Sequence, residues 1–136
     1  MAKIIINGTE LFGEVYGTKQ HYQNAYRDIL TFKIDAEGRS FDATVVLFTG
    51  ANEIVVEDTR VETEYDEDGN PVTREINESY IYADYTIPVK RAIEREEVSP
   101  ETPSSPAVYR DVFVISLAQK TYMEKQLEQV LRLLQS

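Results

Sequence analysis

The stretch VYRDVFVISLAQKTYMEKQLEQVLRLL, residues 108–134, decides the fold class, because a strand pattern changes to a helix pattern within it. In 108–117 the apolar residues occupy both alternating sets of positions, which predicts an interior strand that is buried on both faces. Beyond it, apolar residues recur at spacings of four, three and four, which predicts an amphipathic helix over 121–135. Thr121 and Glu124 have the spacing of a capping box at the start of that helix. Its apolar stripe contains Met123, Leu127, Val130 and Leu134, widened by Leu131.

Further towards the N terminus, short apolar runs alternate with turn signals. The β-branched run 3–6, the dipeptide Asn7-Gly8 and the run 11–16 predict a tight hairpin, because both turn residues tolerate positive φ. Residues 17–24 are polar and are predicted to form a loop. The segment 26–35 alternates apolar and polar residues with a period of two, which predicts a half-buried strand.

The segment Ser40–Gly50 allows two interpretations. Ser40 can cap a short helix that Gly50 ends, whereas the β-branched run Thr44–Val46 favours a strand. The helix is the preferred interpretation.

The segment 57–78 carries most of the net charge of the chain. It contains nine acidic and two basic residues, a net charge of −7 out of −10 for the whole protein. Apolar residues are sparse and alternate, so the segment predicts a protruding β-hairpin with its tip at Asp68–Pro71.

These elements predict a single domain over 1–136 of the α+β class. Its mostly antiparallel sheet carries the acidic hairpin as a projection, and the C-terminal helix is expected to pack on the sheet. Three prolines predict an extended loop over 99–106. Three tyrosines lie close together after the hairpin; Tyr80 and Tyr82 are expected on one face of a strand and Tyr85 on the opposite face.

The sequence lacks the residues that most catalytic mechanisms need. There are no cysteines, His21 is the single histidine, and no phosphate-binding glycine motif is present. A catalytic triad or a zinc site would therefore depend on His21 alone. The carboxylates of the hairpin are expected to be hydrated, whereas a catalytic acid needs an apolar pocket. We expect no enzyme, no catalytic residue, no cofactor and no metal centre.

One motif matches a calcium loop. Glu64, Asp66, Asp68 and Glu75, with Gly69 at the turn, follow the spacing of an EF-hand loop with Glu in place of Asp at its first position. The flanking residues alternate like strands rather than helices, so the preferred interpretation is a solvated hairpin tip.

The charge and hydropathy of the chain limit its partners. A net charge of −10 disfavours direct binding to nucleic acid and to anionic membranes. The basic residues Lys90, Arg91 and Arg95 stand among glutamates, which indicates a mixed solvated face. No signal-peptide pattern and no apolar span are apparent, so we expect the protein to remain where it is made or to be carried within a larger assembly.

The two ends of the chain resemble small tail-region proteins of phages and prophages of Gram-positive bacteria. The residues that carry the resemblance are 3–10 (KIIINGTE) and 118–126 (AQKTYMEKQ). The resemblance implies a structural or accessory viral protein that acts through protein contacts, in the cytoplasm of the host bacterium or within a virion. The heptad-like spacing of the C-terminal stripe separately makes a second copy of the chain a candidate partner.

Three hypotheses for function follow. The leading one is a non-catalytic structural or interaction module that is associated with a phage tail and that assembles through the C-terminal stripe. The alternative is an acidic inhibitor that mimics nucleic acid, since closely spaced carboxylates can occupy a basic cleft. A second alternative is a small-ligand binder that uses the tyrosine cluster. The acidic residues assigned to interaction are Glu62, Glu64, Asp66, Glu67 and Asp68.

Overall fold

The computed structural model describes residues 2–49 and 51–135. Within these residues seven strands and two helices follow one another along the chain: β1 (Ala2–Ile6), β2 (Thr9–Tyr22), β3 (Ala25–Asp35), α1 (Phe41–Phe48), β4 (Glu53–Tyr65), β5 (Pro71–Ala83), β6 (Tyr85–Ser99), β7 (Val108–Gln119) and α2 (Tyr122–Gln135). The mostly antiparallel sheet and the C-terminal helix of the predicted α+β class are thereby confirmed.

All seven strands belong to one sheet in the order β5-β4-β1-β2-β3-β7-β6, and every neighbouring pair is antiparallel. The predicted turn Asn7-Gly8 joins β1 to β2, with φ angles of 50° and 82°. Positive φ at both central residues matches the twist of the two flanking strands. β7 is an interior strand, as predicted, and it is buried on both faces from Val112 to Ala118.

The loop predicted over residues 17–24 is wrong. β2 continues to Tyr22, and a second tight turn at Gln23-Asn24 returns the chain into β3 with Tyr22 opposite Ala25. The φ angles of this turn are 49° and 63°. Residues 17–22 have few apolar side chains to mark a strand, so their backbone pairing with β3 determines their conformation.

The helix interpretation of residues 40–50 is correct. The Ser40 hydroxyl accepts a hydrogen bond from the backbone N–H of Ala43 at 3.3 Å and caps α1. The β-branched Thr44 is accommodated because its hydroxyl donates to the Ser40 carbonyl at 2.8 Å. The helix end predicted at Gly50 lies outside the described residues.

The core lies between α1 and the inner face of the sheet. The rings of Phe48 and Phe32 are 5.0 Å apart, and those of Phe41 and Phe113 are 5.2 Å apart. Directly opposed residues fill the inner face, because antiparallel partners place their side chains on the same side. The fully buried members with the largest side chains are Phe32, Phe48, Ile4, Ile6, Leu11, Ile34, Ile54 and Ile115.

The sheet curls so that the end of one edge strand lies next to the start of the other. β5 and β6 lie at opposite edges, yet Asp84 alone separates them in the chain. A flat sheet would hold these edges roughly 29 Å apart, from six strand spacings, whereas the chain from Ala83 to Tyr85 spans about 7 Å. The N–H of Asp84 donates to the Asn52 carbonyl, and its carbonyl accepts from Lys120, both at 3.0 Å. Asp84 therefore joins the start of β4 to the end of β7.

The C-terminal helix is not packed on the sheet, so that expectation is wrong. α2 has no buried residue, and the exposed fractions of Met123, Leu127, Val130 and Leu134 are 74%, 60%, 50% and 77%. α1 packs on the inner face of the sheet, whereas α2 follows β7 without burying a side chain.

Candidate interaction surfaces

Arg27 anchors the N-terminal end of α2. Its side chain is 2% exposed, and its guanidinium donates to the backbone carbonyls of Tyr22, Gln23 and Gln119 at 2.7, 3.1 and 3.2 Å. The two terminal nitrogens also bind the carboxylate of Glu124, with Nη2 at 2.9 Å from Oε2 and Nη1 bonded to Oε1. Every N–H of the guanidinium thus has an acceptor, which is the condition for burying this charge without a large cost.

Glu124 serves the capping box and the ion pair together. The N–H of Thr121 donates to Oε1 of Glu124 at 2.9 Å, and the N–H of Glu124 donates to the Thr121 hydroxyl at 3.3 Å. The predicted capping box is thereby confirmed. Hydrogen bonding from Arg27, and then from Thr121, lowers the pKa of Glu124 from 4.5 to about 2. A second ion pair, from Lys125 Nζ to Asp84 Oδ2 at 2.8 Å, ties the same turn to the corner between β5 and β6.

The exposed stripe of α2 lies on a segment with little net charge. Residues 120–135 carry three basic and two acidic side chains, a net charge of +1, whereas the whole chain carries −10. Lys120 and Glu128 pair at 2.6 Å. The stripe of Met123, Leu127, Val130 and Leu134 is therefore an apolar surface on a nearly neutral helix.

The predicted acidic residues lie on β4, on β5 and in the turn between these strands. The two strands pair from Glu53 opposite Ala83 to Tyr65 opposite Pro71. β1 pairs with β4 only as far as Glu57, so residues 58–78 form a two-stranded ribbon. Asp66 shapes its turn, because its Oδ1 accepts from the N–H groups of Asp68 and Asn70 at 3.0 and 2.8 Å.

Two arginines neutralise part of this ribbon. Arg60 pairs with Glu62 and Glu78 at 3.3 and 2.9 Å. Arg74 contacts Glu62 and Glu64 at 3.8 Å each. Of the acidic residues predicted to interact, Glu62 and Glu64 are thus ion-paired, Asp66 holds the turn, and Glu67 and Asp68 are exposed at the tip.

The four acidic residues that match the calcium-loop spacing do not form a cluster in this ribbon. Glu75 lies opposite Val61, four residue pairs from the last pair at the tip, while Asp66 already binds two backbone N–H groups. Residues 2–49 and 51–135 contain no group of three or more His, Asp or Glu side chains that could hold a metal ion. His21 lies exposed on β2, with its ring 5.1 Å from that of Tyr26.

The three clustered tyrosines are in contact. The rings of Tyr80 and Tyr82 stack at 6.4 Å, and those of Tyr82 and Tyr85 meet edge to face at 5.9 Å. The expectation that Tyr85 lies on the opposite face is wrong, because Asp84 has a φ of 67° and interrupts the alternation. Tyr85 is buried, and this burial raises its pKa.

Two adjoining cavities of about 360 and 440 Å³ lie beside these rings and share Val15 and Tyr82. Residues of β2 and β3 form one wall, and the other is formed by Val56 and Asp58 of β4 together with the tyrosines of β5 and β6. We call this space the tyrosine cleft. Sequence patterns did not predict it, because it depends on the corner at Asp84, which brings β5 across β2.

A comparison of the chain with models of protein families, with curated proteins and with solved structures gave no match. Neither helix among the described residues is long and apolar enough to cross a membrane.

Proposed function

We propose that this protein is a non-catalytic structural module, associated with a phage or prophage tail, that assembles with further copies of itself through α2. The tail association comes from the resemblance of the two chain ends. The assembly role comes from the position and composition of α2.

The main support for the assembly role is the exposed apolar stripe on a helix whose N-terminal end is anchored. Four side chains at spacings of four, three and four follow the pattern of a coiled-coil seam. Each of them is at least half exposed. Arg27 and Glu124 hold the first turn, so the stripe is presented in one direction. Two heptads are too short for a stable isolated coiled coil, so the seam needs rigid bodies to support it.

The charge distribution favours a second copy at this surface. Two copies with a net charge of −10 each repel one another over most of their surface. A contact through α2 brings together segments with a net charge of +1 and keeps the acidic ribbons apart. Burial of the four apolar side chains then supplies the favourable free energy.

The nucleic-acid mimic is less well supported. Arg60 and Arg74 stand between the carboxylates of the ribbon and pair with three of them. A surface that imitates phosphates would present its negative charges without interleaved cations. A function as a nucleic-acid mimic would also leave the exposed apolar stripe of α2 without a role.

Sedimentation equilibrium over a wide range of protein concentrations tests the assembly role. We expect wild-type protein to form oligomers that persist in high salt, and the double variant Leu127→Ser, Val130→Ser to remain monomeric. The matched control, Gln126→Ser with Gln129→Ser, changes the same helix outside the stripe and should assemble normally. Circular dichroism checks that both variants keep their strands and helices. A wild-type protein that is monomeric throughout would overturn the assembly role.

The tail association is tested separately by the genes that flank this one. Genes for tail structural proteins on either side would support it. A neighbourhood without phage genes would contradict it and would leave the self-assembly result intact.

A further inference from the structure

The second half of β2 has a free edge. β1 pairs with β2 from Ile6 opposite Thr9 to Ala2 opposite Gly13. From Val15 to Tyr22, β2 pairs with β3 on one side, and the described residues provide no strand on the other. β1 is too short to continue along this edge.

The two tight turns determine which backbone groups point to that edge. A two-residue hairpin turn is closed by a hydrogen-bonded pair, and hydrogen-bonded pairs then recur at every second residue. The pair Ile6 and Thr9 directs odd-numbered residues of β2 towards β1, and the pair Tyr22 and Ala25 directs even-numbered ones towards β3. The N–H and C=O groups of residues 15, 17, 19 and 21 therefore point to the free edge.

The tyrosine cleft runs along this edge. Its β2 wall includes residues of both alternating sets, among them Glu14, Val15, Thr18 and Lys19. The first cavity lies between residues 13–16 of β2 and Val56 and Asp58 of β4, where β1 would lie if it continued beyond Ala2, so this part of the cleft is at the edge of β2. The second cavity also contacts residues 28–30 of β3, so it extends from the edge over one face of the sheet. Gly17 keeps this wall open, since the nearest atom to a Cβ built there is Leu30 Cδ2 at 4.0 Å.

The walls of the cleft favour a cationic occupant. Glu14 and Asp58 line it, and among the described residues neither forms an ion pair. Lys19 also lines it, but its ammonium group contacts Asp28 at 3.7 Å. The faces of Tyr80 and Tyr82 can pack against the alkyl stems and charged ends of lysine or arginine.

We infer that the tyrosine cleft binds an extended, basic polypeptide strand, which adds to the free edge of β2. The backbone of the strand pairs with residues 15, 17, 19 and 21, and its alternate side chains lie between Glu14, Asp58 and the tyrosines. This mode of recognition takes affinity from main-chain hydrogen bonds and specificity from side-chain contacts. The site is separate from α2, so this inference does not depend on the assembly role.

Amide hydrogen exchange measured by NMR gives a specific test. The probe is a capped seven-residue peptide of alternating lysine and valine, and the control peptide alternates glutamate and valine. We expect the lysine peptide to slow exchange at residues 15, 17, 19 and 21 and to change residues 16, 18 and 20 little, since these already bond to β3. The control peptide should have no effect. Absence of binding, or protection without this alternation, would overturn the inference.

A pair of substitutions at one position separates the backbone contribution from the side chain. Lys19→Pro removes an outward N–H, and Lys19→Ala removes the same side chain while keeping that N–H. We expect the proline variant to bind the lysine peptide about five-fold more weakly than the alanine variant, from the loss of one hydrogen bond. Equal affinities in two variants with native-like spectra would contradict strand addition.

Two further variants test the charge and the independence of the site. Asp58→Asn should weaken binding of the lysine peptide and reduce its salt dependence, because a carboxylate of the cleft is lost. The Leu127→Ser, Val130→Ser variant should bind the peptide as the wild type does. If the peptide instead requires the α2 stripe, the cleft is not its site.

Discussion

The guanidinium of Arg27 and the carboxylate of Glu124, 97 residues apart in the chain, form a two-point ion pair at the base of α2. The arginine is buried, and it also closes the turn between β2 and β3 through two backbone carbonyls. One side chain thus fixes both the end of a hairpin and the direction of the projecting helix.

Replacement of Arg27 should be among the more damaging single changes outside the core. Arg27→Leu leaves three backbone carbonyls and the Glu124 carboxylate without their donor. We expect a decrease of about 3 kcal/mol in the free energy of unfolding, the lower end of what breaking a buried ion pair costs. Urea denaturation measures it. Arg91→Leu, which changes an exposed arginine, is the control and should cost less than about 0.5 kcal/mol. Equal losses in the two variants would contradict the role given to Arg27.

The low pKa of Glu124 predicts a specific dependence on pH. The carboxyl has a pKa of about 2 in the folded protein and 4.5 as its ordinary value. A group whose pKa is lowered on folding stabilises the folded state above its ordinary pKa and loses that effect as the pH falls through the folded value. The free energy of unfolding of wild type should therefore exceed that of Glu124→Gln by a constant amount above about pH 4.5. Chemical denaturation at several pH values should show this difference shrinking from pH 4.5 towards pH 2. A difference that does not change over this interval would exclude Glu124 as its source.

Gly13 marks a close approach of two strands. A Cβ at this position would lie 2.0 Å from the backbone oxygen of Lys33, so Gly13→Ala requires β2 and β3 to move apart. We expect a loss of about 3 kcal/mol or more in the free energy of unfolding. Gly17→Ala is the matched control on the same strand and should be nearly neutral, since space is open there. Thermal unfolding of both variants distinguishes a steric effect at Gly13 from a general sensitivity of β2 to substitution.

Phe48 joins α1 to the sheet. Its side chain is fully buried against Phe32, so Phe48→Ala should leave a cavity and cost about 3–5 kcal/mol. Val46 lies on the same helix but is 69% exposed, and Val46→Ala should change stability by less than about 0.5 kcal/mol. Calorimetric unfolding temperatures provide the comparison. A similar effect at both positions would mean that α1 does not cover the core as described.

Local patterns in the sequence were sufficient for several elements. Asn7-Gly8 predicted the first turn, Ser40 predicted the start of α1, and Thr121 with Glu124 predicted the start of α2. In each case the residues that determine the geometry are within four positions of one another. The apolar residues on both faces of β7 likewise identified an interior strand, because a strand that is buried on both faces is apolar at nearly every position.

Other features depended on contacts that are distant in sequence. Arg27 occupies the polar side of an alternating strand and resembles a solvated residue until Glu124 and the carbonyl of Gln119 are brought to it. The length of β2 depends on pairing with β3. The contact between Tyr82 and Tyr85 depends on the backbone conformation of Asp84, and nothing in the local sequence distinguishes this aspartate from an ordinary strand or loop residue. The exposure of α2 was also not predictable, because periodicity marks an apolar stripe without showing whether anything covers it.

The corner at Asp84 also has a kinetic consequence. Four of the ladders join strands that are consecutive in the chain, whereas β1 with β4 and β3 with β7 join distant ones, such as Ile4 with Val56 and Phe32 with Ile115. Closing long loops costs chain entropy before the distant contacts form, so hairpins should appear early and these two ladders late. The bond from Asp84 to Asn52 adjoins the last pair of the β4–β5 hairpin, and its bond from Lys120 adjoins the first pair of the β6–β7 hairpin. Both bonds can therefore form with these two hairpins, before the distant ladders. We therefore expect Asp84 to join these two hairpins early in folding, and the β1–β4 and β3–β7 ladders to close the sheet afterwards.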